Sequence, residues 1–185
     1  KNKDISTIKG SVSGCEFQED FLLKTIAVDS SSFYGNDIPK ELAKSIKLGV
    51  DLIMSSADEK NISKAFESIF FSIQIGKSYF PSIAKIRALK ILWAKICKGF
   101  NLDFIVPEIE VTFAKDAYGE NKNSNMIRAT TMAMAASIGG ADRISVLPSD
   151  ALEQQPNSFS KRIARNVQHL LKMESAFDKV TDPAA

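Results

Sequence analysis

Histidine is almost absent from this 185-residue chain; His169 is the only one, so no site that needs two imidazoles can be built from it. Cysteine is nearly as scarce. Cys15 and Cys97 stand far apart and form no CxxC, which argues against a disulfide framework or a zinc ribbon. Long apolar runs are missing: stretches such as Ile69-Phe70-Phe71 fall far short of the roughly 20 residues that span a bilayer. Charge of one sign is missing too. Twenty-four Lys and Arg against 22 Asp and Glu leave +2 at pH 7, without the strongly basic balance of a nucleic-acid binder. No GxSxG elbow, P-loop or GxGxxG turn occurs. Gly139-Gly140 lies between a helix and a strand, where glycine serves as a C-cap. No signal peptide is visible at Lys1, and the chain stops at Asp182-Pro183-Ala184-Ala185 without a closing element, so it reads as a segment of something longer.

What is present is an ordinary globular composition, 44% hydrophobic and 25% charged. Residues 1–20 are polar and read as an irregular lead-in. From residue 21 onward two periodicities alternate. The apolar stretch 21–28, bounded by Asp29-Ser30-Ser31-Ser32, predicts a buried strand. Ile38, Leu42, Ile46, Val50 and Ile53 recur at spacings of four and three and predict a helix, capped by Asn36 or Asp37 with Pro39 in its first turn. Asn61 or Ser63 opens a short helix into a second strand at 70–75. Tyr79, Ile83, Ile86, Leu89, Trp93 and Ile96 predict a second long helix, ended by Gly99. A third strand is predicted over 105–113, a helix over 124–138, a fourth strand over 143–147, and a last helix carries Phe159, Ile163, Val167, Leu170 and Leu171.

Four successive strand–helix units predict parallel strands with right-handed crossovers. A complete (β/α)8 barrel takes about 250 residues, so the expected fold class is α/β: half of a TIM-type barrel, over residues 21–185. Its first and last strands then have open edges that something must cover.

In parallel α/β folds the ligand site lies at the C-terminal ends of the strands. Asp29 and Tyr34, Gln74, Thr112 and Asp150 each sit on a strand or just past such an end and are the substrate-facing candidates. Glu108 and Glu110 share one strand side, a spacing that suits acid–base work and equally a solvated strand face. His169 lines up with Arg162, Arg165 and Lys172 at helical spacing. That stripe reads as a solvated face or, more sharply, as a partner-facing basic surface formed by Arg162, Arg165 and His169. Cys97 reads as a buried small hydrophobe. No metal site and no catalytic residue is assigned.

Several long motifs resemble those of the methylmalonyl-CoA mutase family. One runs from Asn125-Met126-Ile127-Arg128-Ala129-Thr130-Thr131-Met132 through Ala135-Ala136-Ser137-Ile138-Gly139-Gly140-Ala141-Asp142. Others are Ser145-Val146-Leu147-Pro148-Ser149-Asp150, Phe159-Ser160-Lys161-Arg162-Ile163-Ala164-Arg165-Asn166-Val167-Gln168, and upstream Ile83-Ala84-Lys85-Ile86-Arg87-Ala88-Leu89-Lys90. The resemblance implies the C-terminal half of a (β/α)8 barrel. In that family an acyl-CoA threads the barrel and adenosylcobalamin at one mouth supplies the radical for a 1,2-rearrangement.

Three departures from the catalytic pattern are visible. The stretch Asp29-Ser30-Ser31-Ser32-Phe33-Tyr34 has no histidine where the catalytic chain has Ser-Gly-Tyr-His. Asp150-Ala151-Leu152 lacks the glutamate of Asp-Glu-Ala. The cobalamin domain's Asp-x-His-x-x-Gly box is absent, since His169 is followed by Leu170-Leu171-Lys172. A Thr-Ser-x-Trp loop is also replaced, by Thr112-Phe113-Ala114-Lys115-Asp116. Val28-Asp29 and Val146-Leu147-Pro148 resemble instead the non-catalytic small subunit of heterodimeric mutases. The resemblance therefore implies a cytoplasmic barrel segment that packs against a catalytic large subunit. Adenosylcobalamin would belong to the parent complex and not to this chain. It leaves room for acyl-CoA contact and implies neither nucleic acid nor membrane as partner. The alternative is a piece of a divergent catalytic acyl-CoA mutase whose cobalamin domain lies elsewhere.

Overall fold

A computed structural model describes residues 10–11, 23–24, 26–35, 37–57, 61–153, 155–177 and 179. Among the described residues the strands and α-helices follow in the order β1 (Gly10–Ser11), β2 (Leu23–Lys24), β3 (Ile26–Asp29), α1 (Ile38–Ser56), α2 (Ile62–Glu67), β4 (Ile69–Ile75), α3 (Tyr79–Gly99), β5 (Glu108–Phe113), α4 (Lys122–Gly139), β6 (Arg143–Ser145) and α5 (Ser158–Met173). Short 3-10 turns at Ser31–Phe33 and Lys115–Ala117 follow β3 and β5. Inside the stretch read as an irregular lead-in, β1 pairs in parallel with β2; residues 1–9 and 12–20 lie outside the described residues.

Strands β3 to β6 form one sheet in the order β3-β4-β5-β6, and the recorded pairings are parallel. Each strand lies beside its predecessor, with no reversal of order, which is the winding of a (β/α)8 barrel rather than of a doubly wound sheet. Four parallel strands alternating with helices thus give the partial TIM barrel that the periodicity predicts.

The chain divides into two compact units, residues 1–72 with 88–109 and residues 73–87 with 110–185. In the first, Val28, Ile53, Phe66, Phe71, Leu89 and Trp93 form the core. Trp93 packs at 5.3 Å from Phe66 and 5.0 Å, edge-on, from Phe71, a geometry that aromatic quadrupoles favour. Helix α1 is capped by Asp37, whose side chain accepts from the Lys40 amide at 3.1 Å; of the two cap candidates, Asn36 lies outside the described residues. Asn61 stands at the start of α2. Cys97 is fully buried. Helix α3 ends at Gly99, yet the left-handed residue that closes it is Asn101, at φ 56°. The Leu102 amide there donates back to the Cys97 carbonyl at 3.0 Å, a Schellman-type closure in which Asn replaces the expected Gly.

In the second unit the buried sides of β4 and β5 (Ile73, Ile75, Val111, Phe113) supply the core with Ile83 and Ile86 of α3 and the alanine face of α4. Helix α4 starts two residues earlier than predicted, because Asn121 caps it by accepting from the Asn123 and Ser124 amides. It ends at Gly140, φ 83°, as the Gly-Gly pair predicts. Two strands are shorter than their apolar runs. Strand β5 begins at Glu108 rather than 105, after Pro107, which has no amide to offer a ladder. Strand β6 ends at Ser145 rather than 147; beyond it the Leu147 carbonyl accepts the Tyr118 hydroxyl at 2.9 Å.

Candidate functional site

At the C-terminal ends of the second unit's strands, two loops are bound into one structure. The loop after β5 runs to α4 and the loop after β6 runs to α5. Asn125, in the first turns of α4 and 1% exposed, joins them. Its Nδ2 donates to the Gly119 carbonyl and to the Ser149 carbonyl, each at 2.8 Å, and its Oδ1 accepts from the Gly119 amide at 2.9 Å. Every polar atom of that amide is used, except one lone pair that Arg128 Nη1 approaches at 3.5 Å. The same guanidinium donates to the Ala117 carbonyl at 3.3 Å. Tyr118 ties the first loop to Leu147, and burial pushes its phenol well above the usual range.

Asp150 stands in the second loop, 2% exposed. One carboxylate oxygen accepts from the Asn157 amide at 2.9 Å, and the other takes the Ser160 hydroxyl. Burial pushes its pKa up. The Ser160 and Asn157 bonds, its own amide and the charge of Lys122 outweigh that and hold it below the usual carboxylate value. Lys122 is drawn over the loop by Glu153, at 2.5 Å.

On the strands, the Thr112 hydroxyl lies 3.4 Å from the Ile73 carbonyl. Gln74 is half-buried; its carbonyl accepts from the buried Lys85 ammonium at 2.5 Å, while its side-chain amide makes no hydrogen bond among the described residues. Glu110 faces Arg143 in register across β5 and β6, with the Ser145 hydroxyl at 3.5 Å from its Oε1. It is thus part of a cross-strand polar ladder. In the first unit, Asp29 is exposed and its Oδ1 accepts from the Ser31 amide at 2.9 Å. Tyr34 closes the 3-10 turn, half-buried.

The second unit therefore brings Asp150 into a buried loop framework, and leaves Gln74 and Thr112 on strands. Arg162, Arg165 and His169 lie exposed on α5. Among the described residues no group of three His, Cys, Asp or Glu could hold a metal ion. Asn125 was not singled out by sequence reasoning as a site residue. The signal available was an asparagine inside the first turns of a helix, a position it occupies well only when its side chain has a partner.

A profile of the methylmalonyl-CoA mutase family matches residues 23–185. The chain belongs to the methylmalonyl-CoA mutase family. Its relatives include the methylmalonyl-CoA mutase small subunit of Porphyromonas gingivalis, 38% identical over 157 residues, covering 82% of this chain and 25% of that protein. The small subunit of Streptomyces virginiae is 30% identical over 167 residues, 88% of this chain and 27% of that protein. The methylmalonyl-CoA mutase of Rhizobium meliloti is 28% identical over 156 residues, 82% and 22% respectively. The chain spans about a quarter of the length of these mutase relatives. Its Asn125–Asp142 segment, read as a family motif, is thus the same segment that folds as α4 and clamps the two loops.

Proposed function

We propose that this chain is a barrel segment of the non-catalytic small subunit of a methylmalonyl-CoA mutase-type enzyme and that it packs against a catalytic large subunit. One observation carries the reading: several relatives at 29–38% identity bear the small-subunit name, while the stretch after Asp29 lacks the catalytic histidine and Asp150 is not followed by the glutamate. In this reading adenosylcobalamin belongs to the partner. The only imidazole, His169, sits exposed on α5 ahead of Leu170-Leu171-Lys172, which does not fit a cobalt-ligating box.

Asp150, with both oxygens engaged, serves in this proposal as a loop support. Gln74 and Thr112, and separately Asp29 and Tyr34, are the positions at which acyl-CoA contact is to be sought. Residues 21–185 act as the barrel portion. No described helix is long and apolar enough to cross a membrane, and we place the parent complex in the cytoplasm.

The test is to purify the full polypeptide containing these residues from its own cells, size the co-purifying proteins and assay both for cobalamin and for isomerisation of methylmalonyl-CoA. The expected result is a stoichiometric complex with a larger, cobalamin-containing chain. A polypeptide that binds adenosylcobalamin and isomerises the substrate alone overturns the proposal in favour of a divergent catalytic mutase.

A further inference from the structure

The loop after β5 and the loop after β6 are tied by side chains that reach toward three separate points. Tyr118 Oη donates to the Leu147 carbonyl at 2.9 Å. Asn125 Nδ2 donates to the Gly119 carbonyl of the first loop and to the Ser149 carbonyl of the second, each at 2.8 Å. Lys122, the first residue of α4, meets Glu153 at 2.5 Å. The ties thus land on Leu147, Ser149 and Glu153, spread along the second loop. Between them Asp150 holds that loop to Asn157 and Ser160 at the start of α5.

Loops ordinarily run exposed over the surface and are mobile. Here Ala117 and Tyr118 of the first loop and Ser149 and Asp150 of the second are buried. If the first loop lifts alone, the Leu147 carbonyl loses its donor and Asn125 loses both contacts to Gly119. If the second lifts alone, the Tyr118 hydroxyl and one Asn125 N–H lose their acceptors. Buried polar groups left without partners are costly. The least costly opening breaks the ties together and wets every group at once. The Lys122–Glu153 pair, half-exposed, contributes least to this; the bonds of Tyr118 and Asn125 carry it.

We infer that the loops after β5 and β6 open and close as one cooperative unit, a two-loop strap at the C-terminal ends of these strands. Native proteins open locally in such contiguous units. In parallel α/β folds this end of the strands carries the ligand site. Whatever holds one loop therefore holds the other, and the coupling has the same size in both directions. It is independent of the subunit reading under Proposed function.

The experiment is hydrogen exchange, read by mass spectrometry, on the full polypeptide containing these residues. The first loop reports through the Tyr118 and Gly119 amides, which donate to the Lys115 carbonyl and to Asn125 Oδ1. The second reports through the Ala151 and Glu153 amides, which donate to the Pro148 and Asp150 carbonyls. Asp150→Asn alters bonds on the second loop's side alone. Ala117→Gly loosens the first loop by freeing its backbone. Each is expected to quicken exchange about threefold to tenfold in its own loop. The other loop is expected to follow by the same factor, within about twofold. The Met132 and Ala133 amides of α4 are expected to keep their wild-type rates. Should Asp150→Asn misfold, Ser160→Ala, which removes one of the two bonds, carries the same arm. Acceleration confined to the altered loop, or absent from both, overturns the coupling. Equal acceleration at Met132 and Ala133 means that the whole unit opens, and overturns it too.

Discussion

Ser160, in the first turn of α5, donates its hydroxyl to the carboxylate of Asp150, ten residues earlier in the loop after β6. The second carboxylate oxygen accepts the Asn157 amide at 2.9 Å. Asn157, the N-cap of α5, in turn accepts from the Ser160 amide at 2.8 Å. Two buried side chains, each 2% exposed, thus anchor the start of the helix to the loop that precedes it.

Replacing Asp150 by Asn keeps the volume but removes the charge that both bonds use: the Asn157 amide keeps a neutral acceptor, and the Ser160 hydroxyl must accept from the new amide and turn its own proton to the Asn157 carbonyl. Losing charge-assisted hydrogen bonds of this kind costs about 1–3 kcal/mol. Urea unfolding of the Asp150→Asn variant should show a lower midpoint by that amount, and an unchanged midpoint would remove Asp150 from the framework.

The same carboxylate makes stability depend on pH. Its folded pKa lies below the ordinary value of 3.8, so the folded state favours the ionised form. Its contribution is fully present above that ordinary value and is lost as pH falls through the lower folded one. The stability gap between wild type and Asp150→Asn should be constant near neutral pH and shrink below about pH 4. A gap that does not narrow on acidification contradicts this.

Asn125→Ala removes both links between the two loops and leaves the carbonyls of Gly119 and Ser149 without that donor. The expected loss is about 2–4 kcal/mol. Hydrogen exchange should quicken at Gly119, whose amide loses its acceptor, while the α1 amides keep their protection.

Gly139 allows α4 to approach α3 within the second unit. A Cβ there would stand 2.7 Å from Cδ1 and 3.0 Å from Cβ of Ile86. Gly139→Ala should therefore destabilise by about 1–3 kcal/mol despite alanine's better helix propensity. Ile86→Val, which deletes the nearer atom, should recover part of that loss in the double variant, a coupling that thermal unfolding of the four-member cycle measures.

Much was legible in the residues themselves. Period 3.6 in Leu42, Ile46 and Ile53 against short apolar runs such as Phe70-Phe71 separates helix from strand, because each element must bury one stripe or one face. Gly140 announces its own left-handed cap, since only a residue without Cβ takes that conformation freely. The ordered motifs from Asn125 to Gln168 announce the family. Charge and spacing marked Arg162, Arg165 and His169 as one exposed stripe.

Tertiary contact decided the rest. Beyond Ser145, where β6 stops, Tyr118, far away in sequence, holds the Leu147 carbonyl. Asp150 becomes a loop anchor because Asn157 and Ser160 fold back onto it. Asn125 becomes a clamp because α4 carries it beneath both Gly119 and Ser149. Periodicity records which face a residue takes. It holds no record of the distant backbone group that a polar side chain will meet, and that meeting alone determines whether a buried polar atom is satisfied.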